Sequence, residues 1–168
     1  MAAPAALLFG YAFLSNVAVA VLPHEPVVIW YGAHLGVWPT TLVATAGTVV
    51  AALVDHRLFV PLIQRIALRR ERSRVERAFG QCPFAVIALS GLTPLPFLPF
   101  KALAFATGYP IGRYTGAVAA RSLCRYALLA WLGVSVRLPA WLYAALFALL
   151  LLPSLRLVSW PRSTHGAS

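Results

Sequence analysis

The chain has 168 residues, 61% of them apolar and only 11% charged, against about 25% charged in an ordinary soluble domain. A mean hydropathy of +0.80 points to an integral membrane protein, with room in one domain for roughly four to six membrane-embedded segments. The net charge of +10 comes almost wholly from arginine; with no aromatics interleaved among bases on a polar surface, it excludes a nucleic-acid role and reads as anchoring to anionic lipid.

Residues 5–21 are apolar apart from Ser15 and Asn16 and have the length of a short membrane helix. Ala18-Val19-Ala20 imitates a signal-peptide cleavage site, but no basic residue precedes the run, so it is expected to stay in the mature protein. Pro23-His24-Glu25-Pro26 interrupts it, because each proline lacks the N–H that a helix interior needs. Residues 27–36 resume as an apolar arm too short to span. The stretch 5–38 is therefore expected to be a re-entrant hairpin with Pro23 and Pro26 at its tip. Residues 40–54 read as a transmembrane helix. Its Gly47 and Ala51, like Ala44 and Thr48, are four apart, the spacing that lets membrane helices approach closely.

Residues 55–79 carry seven arginines between Arg57 and Arg77, with leucines near helical spacing. This is expected to be an amphipathic helix on the cytoplasmic face. Asp55 and His56, where it meets the span, are expected to act as interface anchors. The next apolar stretch, 82–108, is broken by Thr93-Pro94-Leu95-Pro96-Phe97-Leu98-Pro99-Phe100-Lys101. Three prolines in six residues cannot lie inside a regular helix. They predict a second re-entrant hairpin with Pro94, Pro96 and Pro99 at its tip and Lys101 just beyond. Residues 114–134 and 138–158 read as two further transmembrane helices, and 159–168 as a disordered tail.

The two broken stretches repeat one order: hairpin, link, span. Pro23 to Pro26, Gly36 and Trp38-Pro39 in the first are matched by Pro96 to Pro99, Gly108 and Tyr109-Pro110 in the second. Helix breaks at matching positions of two halves point to an inverted-repeat transporter fold with its site at the breaks. The fold class expected is all-α integral membrane: an inverted repeat of hairpin plus transmembrane helix, with a final transmembrane helix, in one domain over 1–158. With the basic loop inside, the first hairpin dips from outside and the second from the cytoplasm.

Five ionisable residues fall in or beside apolar sequence: Glu25, Asp55, Lys101, Arg121 and Arg125. A charge at the bilayer centre costs about 2.5–3.5 kcal/mol on insertion scales, so it is seldom idle. Arg121 and Arg125 share one helix face and repel unless an anion lies between them. Glu25 is the internal candidate; a lipid phosphate, which guanidinium binds through paired donors, is the external one. A buried salt bridge between Glu25 and one arginine, locking hairpin to helix, is the plainer alternative. Cys82 and Cys124 are expected to be buried free thiols. His24-Glu25 with His34 lacks the spacing of a zinc site, and no metal or cofactor is expected.

Leu22-Pro23-His24-Glu25-Pro26-Val27-Val28, Thr93 to Lys101 with Gly108, and Ala120-Arg121-Ser122-Leu123-Cys124-Arg125-Tyr126 together resemble the DedA superfamily, the VTT-domain or SNARE-associated Golgi-type membrane proteins. The likeness runs from about Leu22 to Leu132 and is nearest to the YqaA-like branch, with its T-P-x-P tip followed by lysine. It departs from other members in having no arginine in Ser90-Gly91-Leu92-Thr93-Pro94. The resemblance implies two opposed re-entrant hairpins and translocation of an anionic phospholipid or polyprenyl phosphate, coupled to protons. Under it, Glu25 matches the acid of the first hairpin and Arg121 and Arg125 the head-group arginine pair; the place of the family's second acid is Ala52 here, and Asp55, three further on, is the other proton-coupling candidate, while Lys101 joins the head-group candidates by its charge just past the second tip. The expectation is a multi-pass lipid flippase or scramblase of a bacterial-type inner cell membrane, with membrane lipids as partners; a homo-oligomer is compatible with it. Two alternatives stay open: a proton-coupled transporter of a small ion or solute, and a non-transporting scaffold. No nucleophile–base pair or metal spacing favours an enzyme.

Overall fold

The computed structural model describes residues 2–17, 23–67, 82–90, 98–136 and 139–158. The part of the basic segment beyond Ala67 (68–79), the tip residues Pro94 and Pro96, and the tail 159–168 lie outside these residues. Among the described residues every element is helical: α1 (Ala2–Asn16), α2 (Glu25–Leu35), α3 (Val37–Ala67), α4 (Pro83–Leu89), α5 (Leu98–Ala106), α6 (Ile111–Ser135) and α7 (Ala140–Val158).

Two of them are long and apolar enough to cross a membrane: Val37–Ile63 within α3, 27 residues, and α6, 25 residues. At 1.5 Å per residue each reaches roughly 40 Å, more than the 30 Å of a hydrocarbon core. α1, α2, α4 and α5, of 15, 11, 7 and 9 residues, fall short of the roughly 20 that spanning needs.

The breaks between short helices follow from their sequence. Pro26 and Pro99 are the second residues of α2 and α5, where the missing N–H is one no helix bond would use. Pro99 and Lys101 thus lie within α5 instead of at and beyond a tip. α2 stops at Gly36, at φ +87°, and α5 is followed by Gly108, at φ +67°, backbone conformations open to glycine at little cost. After α5 the Tyr109 N–H donates to the Ala104 carbonyl at 2.9 Å and the Gly108 N–H to that of Phe105 at 3.2 Å, the paired bonds of a Schellman stop.

One boundary differs from the sequence reading. The helix expected to end at residue 54 continues without interruption through Asp55 and Pro61 to Ala67. Pro61 removes the ladder bond to the Arg57 carbonyl without ending the helix, and the buried Asp55 carboxylate is met by a cation, as described below.

α3 and α6 form the central pair, and the four short helices clothe it in a crossed pattern. The first arm of each broken stretch packs on the long helix of its own half, α1 on α3 and α4 on α6. The second arm also reaches the long helix of the other half, α2 on α6 and α5 on α3, while α7 lies against α2. Contact between α2 and α6 is backbone on backbone: a Cβ added at Gly32 would fall 2.5 Å from the Ala130 carbonyl oxygen, and one at Gly133 would collide with that of Ile29. Gly47 meets α1 in the same way, a Cβ there lying 2.6 Å from the Phe9 oxygen. The core is accordingly small and tight: Ala12, Ala44, Ala51, Ala104, Ala117 and Ala130 are buried among Leu8, Val28, Ile87, Phe105, Tyr114 and Tyr126.

Large apolar side chains also cover much of the surface, and charge lies within the core. Leu7, Leu14, Trp38, Leu58, Leu128, Trp131, Trp141 and Leu149 face outward, while Asp55, Lys101, Arg121, Thr40, Thr41 and Ser122 are buried. A hydrocarbon solvent favours that distribution and water does not.

Candidate functional site

Asp55, on α3, is wholly buried, and its Oδ2 is ion-paired with Nζ of Lys101 on α5. The same ammonium donates to the carbonyl of Asn16, the last residue of α1, at 3.3 Å. That carbonyl is one of the four a helix leaves unsatisfied at its C-terminus, where the helix dipole also favours a cation. One lysine thus ties the second broken stretch to the end of an arm of the first. Asp55 is not the interface anchor expected. Its neighbour His56 is engaged too, its Nε2 donating to the Tyr109 carbonyl at 2.9 Å while its ring lies against Phe105 and Tyr114.

A second ion pair has the opposite polarity. Glu25, the first residue of α2, accepts from the Arg125 guanidinium of α6 at 2.6 Å. An acid at a helix N-terminus is where the dipole favours one. Arg121, one turn earlier on α6, is buried, and its Nε donates to the Ser90 hydroxyl at 3.2 Å. That hydroxyl in turn donates to the Ile87 carbonyl at 2.6 Å, at the C-terminal end of α4. Broken helix ends therefore meet complementary charge three times: Lys101 at α1, Glu25 at α2, and Arg121 through Ser90 at α4.

The two ion pairs are connected. Asn16, whose carbonyl holds Lys101, donates through Nδ2 to the Thr48 hydroxyl at 3.3 Å and to the Tyr126 hydroxyl at 3.5 Å. Thr48 and Tyr126 share a 2.8 Å bond. The Tyr126 ring meets His24 edge-on, 5.6 Å between centroids, and His24 Nε2 lies 3.8 Å from the Glu25 carboxylate. A polar file thus crosses the apolar core from Asp55 to Arg125, with contributions from α1, α2, α3, α5 and α6. At its Glu25 end two buried nitrogens, His24 Nε2 and Arg125 Nε, have no hydrogen-bond partner among the described residues. Leaving such groups unpaired costs about 1–3 kcal/mol each; the Arg125 Nε can only donate, whereas the His24 nitrogen donates or accepts according to its tautomer.

The pairs differ in accessibility. Side chains of Asp55 and Lys101 are 1% and 8% exposed, against 27% and 21% for Glu25 and Arg125. One is sealed and the other can be reached.

All five charged candidates enter this file or its margin. The Pro23 carbonyl accepts from the Tyr11 hydroxyl at 2.8 Å, holding the first break against α1; Pro26 and Pro99 open helices, and Pro94 and Pro96 lie outside the described residues. The sequence reading missed Asn16, Thr48, Ser90 and Tyr126, and took His24 only for a failed zinc ligand. Asn16 carried a signal, a lone amide in an apolar run. Thr48 carried none beyond its size. Cys82 and Cys124 are free, but both are exposed where burial was expected. No family model, curated protein or solved structure matches the chain.

Proposed function

We propose that the protein moves an anionic lipid, a phospholipid or lipid-linked phosphate, between the leaflets of a bacterial-type cell membrane. The observation that carries this reading is the crossed, charge-reversed pairing of each broken stretch with the long helix of the other half. The acid Glu25 rides on an arm and the base Arg125 on the long helix; the base Lys101 rides on an arm and the acid Asp55 on the long helix. In this reading α1–α2 and α4–α5 are opposed re-entrant hairpins, α3, α6 and α7 cross the membrane, and each ion pair is the latch of one gate.

The chemistry follows from the cost of an open latch. Separating Glu25 from Arg125 strands two charges in a poorly hydrated interior, where one alone costs about 2.5–3.5 kcal/mol. A phosphate offsets that cost by taking the place of the carboxylate. Guanidinium groups hold phosphate oxygens through paired donors, and Arg121 and Arg125, one turn apart, present two of them. Opening is thereby tied to occupancy, which keeps the path shut to ions when no lipid is bound. The reachable Glu25–Arg125 latch faces the loading side, while the sealed Asp55–Lys101 latch closes the other.

Reconstitution into liposomes with fluorescent phosphatidylglycerol and an impermeant quencher tests the proposal. The wild type is expected to expose inner-leaflet lipid to the quencher at least tenfold faster than the Arg121→Ala/Arg125→Ala double variant. Equal, slow exchange in both sinks the reading, and uptake of a solute driven by a pH gradient without lipid movement replaces it with solute transport.

A further inference from the structure

The hydrogen-bond relay between the two ion pairs has a direction. The Thr48 hydroxyl gives its only proton to the Ala44 carbonyl at 3.0 Å, so in the 2.8 Å bond between Thr48 and Tyr126 the phenol donates. The phenol oxygen is left to accept, and the Asn16 amide faces it at 3.5 Å. That amide has two protons and four oxygens within reach: the Ala12 carbonyl at 2.7 Å, the Ser15 and Thr48 hydroxyls at 3.3 Å each, and the Tyr126 hydroxyl. The Ala12 carbonyl takes one proton, and the other is shared among three hydroxyls and can change partner. Ser15, Thr48 and Tyr126 are buried, where hydrogen bonds in series strengthen one another and a broken one leaves its groups unpaired.

Each end of the relay touches an ion pair. Asn16 closes α1, and its carbonyl, which has no partner within the helix, accepts from the Lys101 ammonium that meets Asp55. Tyr126 follows Arg125 on α6, and its ring lies edge-on to His24, the residue that precedes Glu25 and caps α2. A shift of α2 against α6 that parts Glu25 from Arg125 therefore moves the phenol, and with it the oxygen that the Asn16 amide faces. The Asn16 carbonyl is then less firmly aimed at Lys101. We propose that Asn16 and Tyr126 are positioning residues that couple the two ion pairs, so that parting either pair loosens the other. The coupling is a property of the ion pairs themselves; its use, release of the sealed latch once the reachable one is loaded, rests on the transport reading above. Side-chain groups alone carry it, which makes it separable from the packing. Tyr126→Phe keeps the ring on His24 and removes the hydroxyl, and Asn16→Leu keeps the carbonyl beneath Lys101 and removes the amide.

The test is amide hydrogen exchange of the full chain in nanodiscs, read by mass spectrometry on the peptides of α2 and α5, since exchange reports local opening. Glu25→Gln is expected to speed exchange in α5 about tenfold, inside the range for coupled sites. Lys101→Met should speed exchange in α2 in turn, because coupling runs both ways. In a Tyr126→Phe background the α5 response to Glu25→Gln should shrink to less than about twofold, the loss expected when the coupling of a double-mutant cycle is removed. An Asn16→Leu background should erase it equally, and serves for the same comparison where Tyr126→Phe folds poorly. An α5 that ignores Glu25→Gln, or a response that survives both backgrounds as general destabilisation does, overturns the proposal. Coupled exchange together with no lipid movement in liposomes upholds the link and leaves the transport reading to fail alone. Lipid movement with no coupled exchange overturns the link and leaves transport standing.

Discussion

At the scale of single residues the two ion pairs make different predictions, because one is sealed and the other is not. Lys101→Met removes the cation of the buried Asp55 pair, and removing one member of such a pair costs about 3–5 kcal/mol. Thermal unfolding in detergent should show a large drop in Tm, recovered in the double variant Asp55→Leu/Lys101→Met, which replaces both charges by apolar groups. A double variant no more stable than the single one would show that the Asp55 carboxylate is not what Lys101 neutralises. Glu25→Gln acts on a pair that water already reaches, so the expected loss of stability is about 1 kcal/mol or less. Lipid exchange should nonetheless fall, since Arg125 then holds a bound phosphate with no carboxylate to displace it. The sequence singled out Glu25, Arg121 and Arg125 because charges stand out in apolar runs. It misjudged Asp55 because the arginine-rich segment begins two residues later and made the carboxylate look like part of an interface. The partners are 46 and 100 positions apart, and no local pattern encodes pairings over such distances.

Among the elements, the seam between α2 and α6 bears the most strain-sensitive contact. Gly133→Val puts side-chain atoms where the Ile29 carbonyl already is, and the cost should reach about 3 kcal/mol, the upper part of the overpacking range. Gly112→Ala, at a site with nothing within 4 Å, should be neutral or slightly stabilising. Differential scanning fluorimetry of the two variants side by side distinguishes a packing seam from a general intolerance of glycine replacement. Small-residue spacing was legible in the first long helix, where Gly47, Ala44 and Thr48 do face neighbours. It was not legible for Gly32, because the partner surface is supplied by Ala130, 98 positions away in sequence. The prolines and paired glycines marked the interruptions correctly in kind. They put Pro99 at the second tip, whereas it is the second residue of α5; in sequence a proline at that position looks the same as one that breaks a helix.

For the whole molecule, the chain carries its own reporter of orientation. Cys82 is exposed and opens the stretch that leads into α4, directly after the basic segment. In a Cys124→Ser background, a membrane-impermeant maleimide should label Cys82 in inside-out vesicles and not in intact cells or spheroplasts. Labelling from the outer side would turn the molecule over and put the Glu25–Arg125 latch on the opposite side of the membrane from the one expected. The general class, an all-helical chain with long apolar helices, was evident from composition. The crossed packing was not, because an arm of 9 or 11 residues says nothing by itself about which long helix it will choose.

The distribution of charge between the halves has a consequence for assembly. In the order of synthesis Glu25 and Asp55 come first, and both of their partners, Lys101 and Arg125, lie in the second half. The amino-terminal half is thus born with two carboxylates and no internal cation among its described buried residues. Until the rest of the chain inserts, each of those acids must stay protonated or wet, so the first half should be a transient species and a substrate for quality-control proteases. Split near residue 75 and produced alone, neither half should accumulate; produced together, the two should stabilise one another and co-purify. The same polarity also assigns seats. An α5 misplaced onto α6 sets Lys101 against arginines, and an α2 misplaced onto α3 sets Glu25 against Asp55, so the two hairpins cannot exchange positions without like charges meeting in the core.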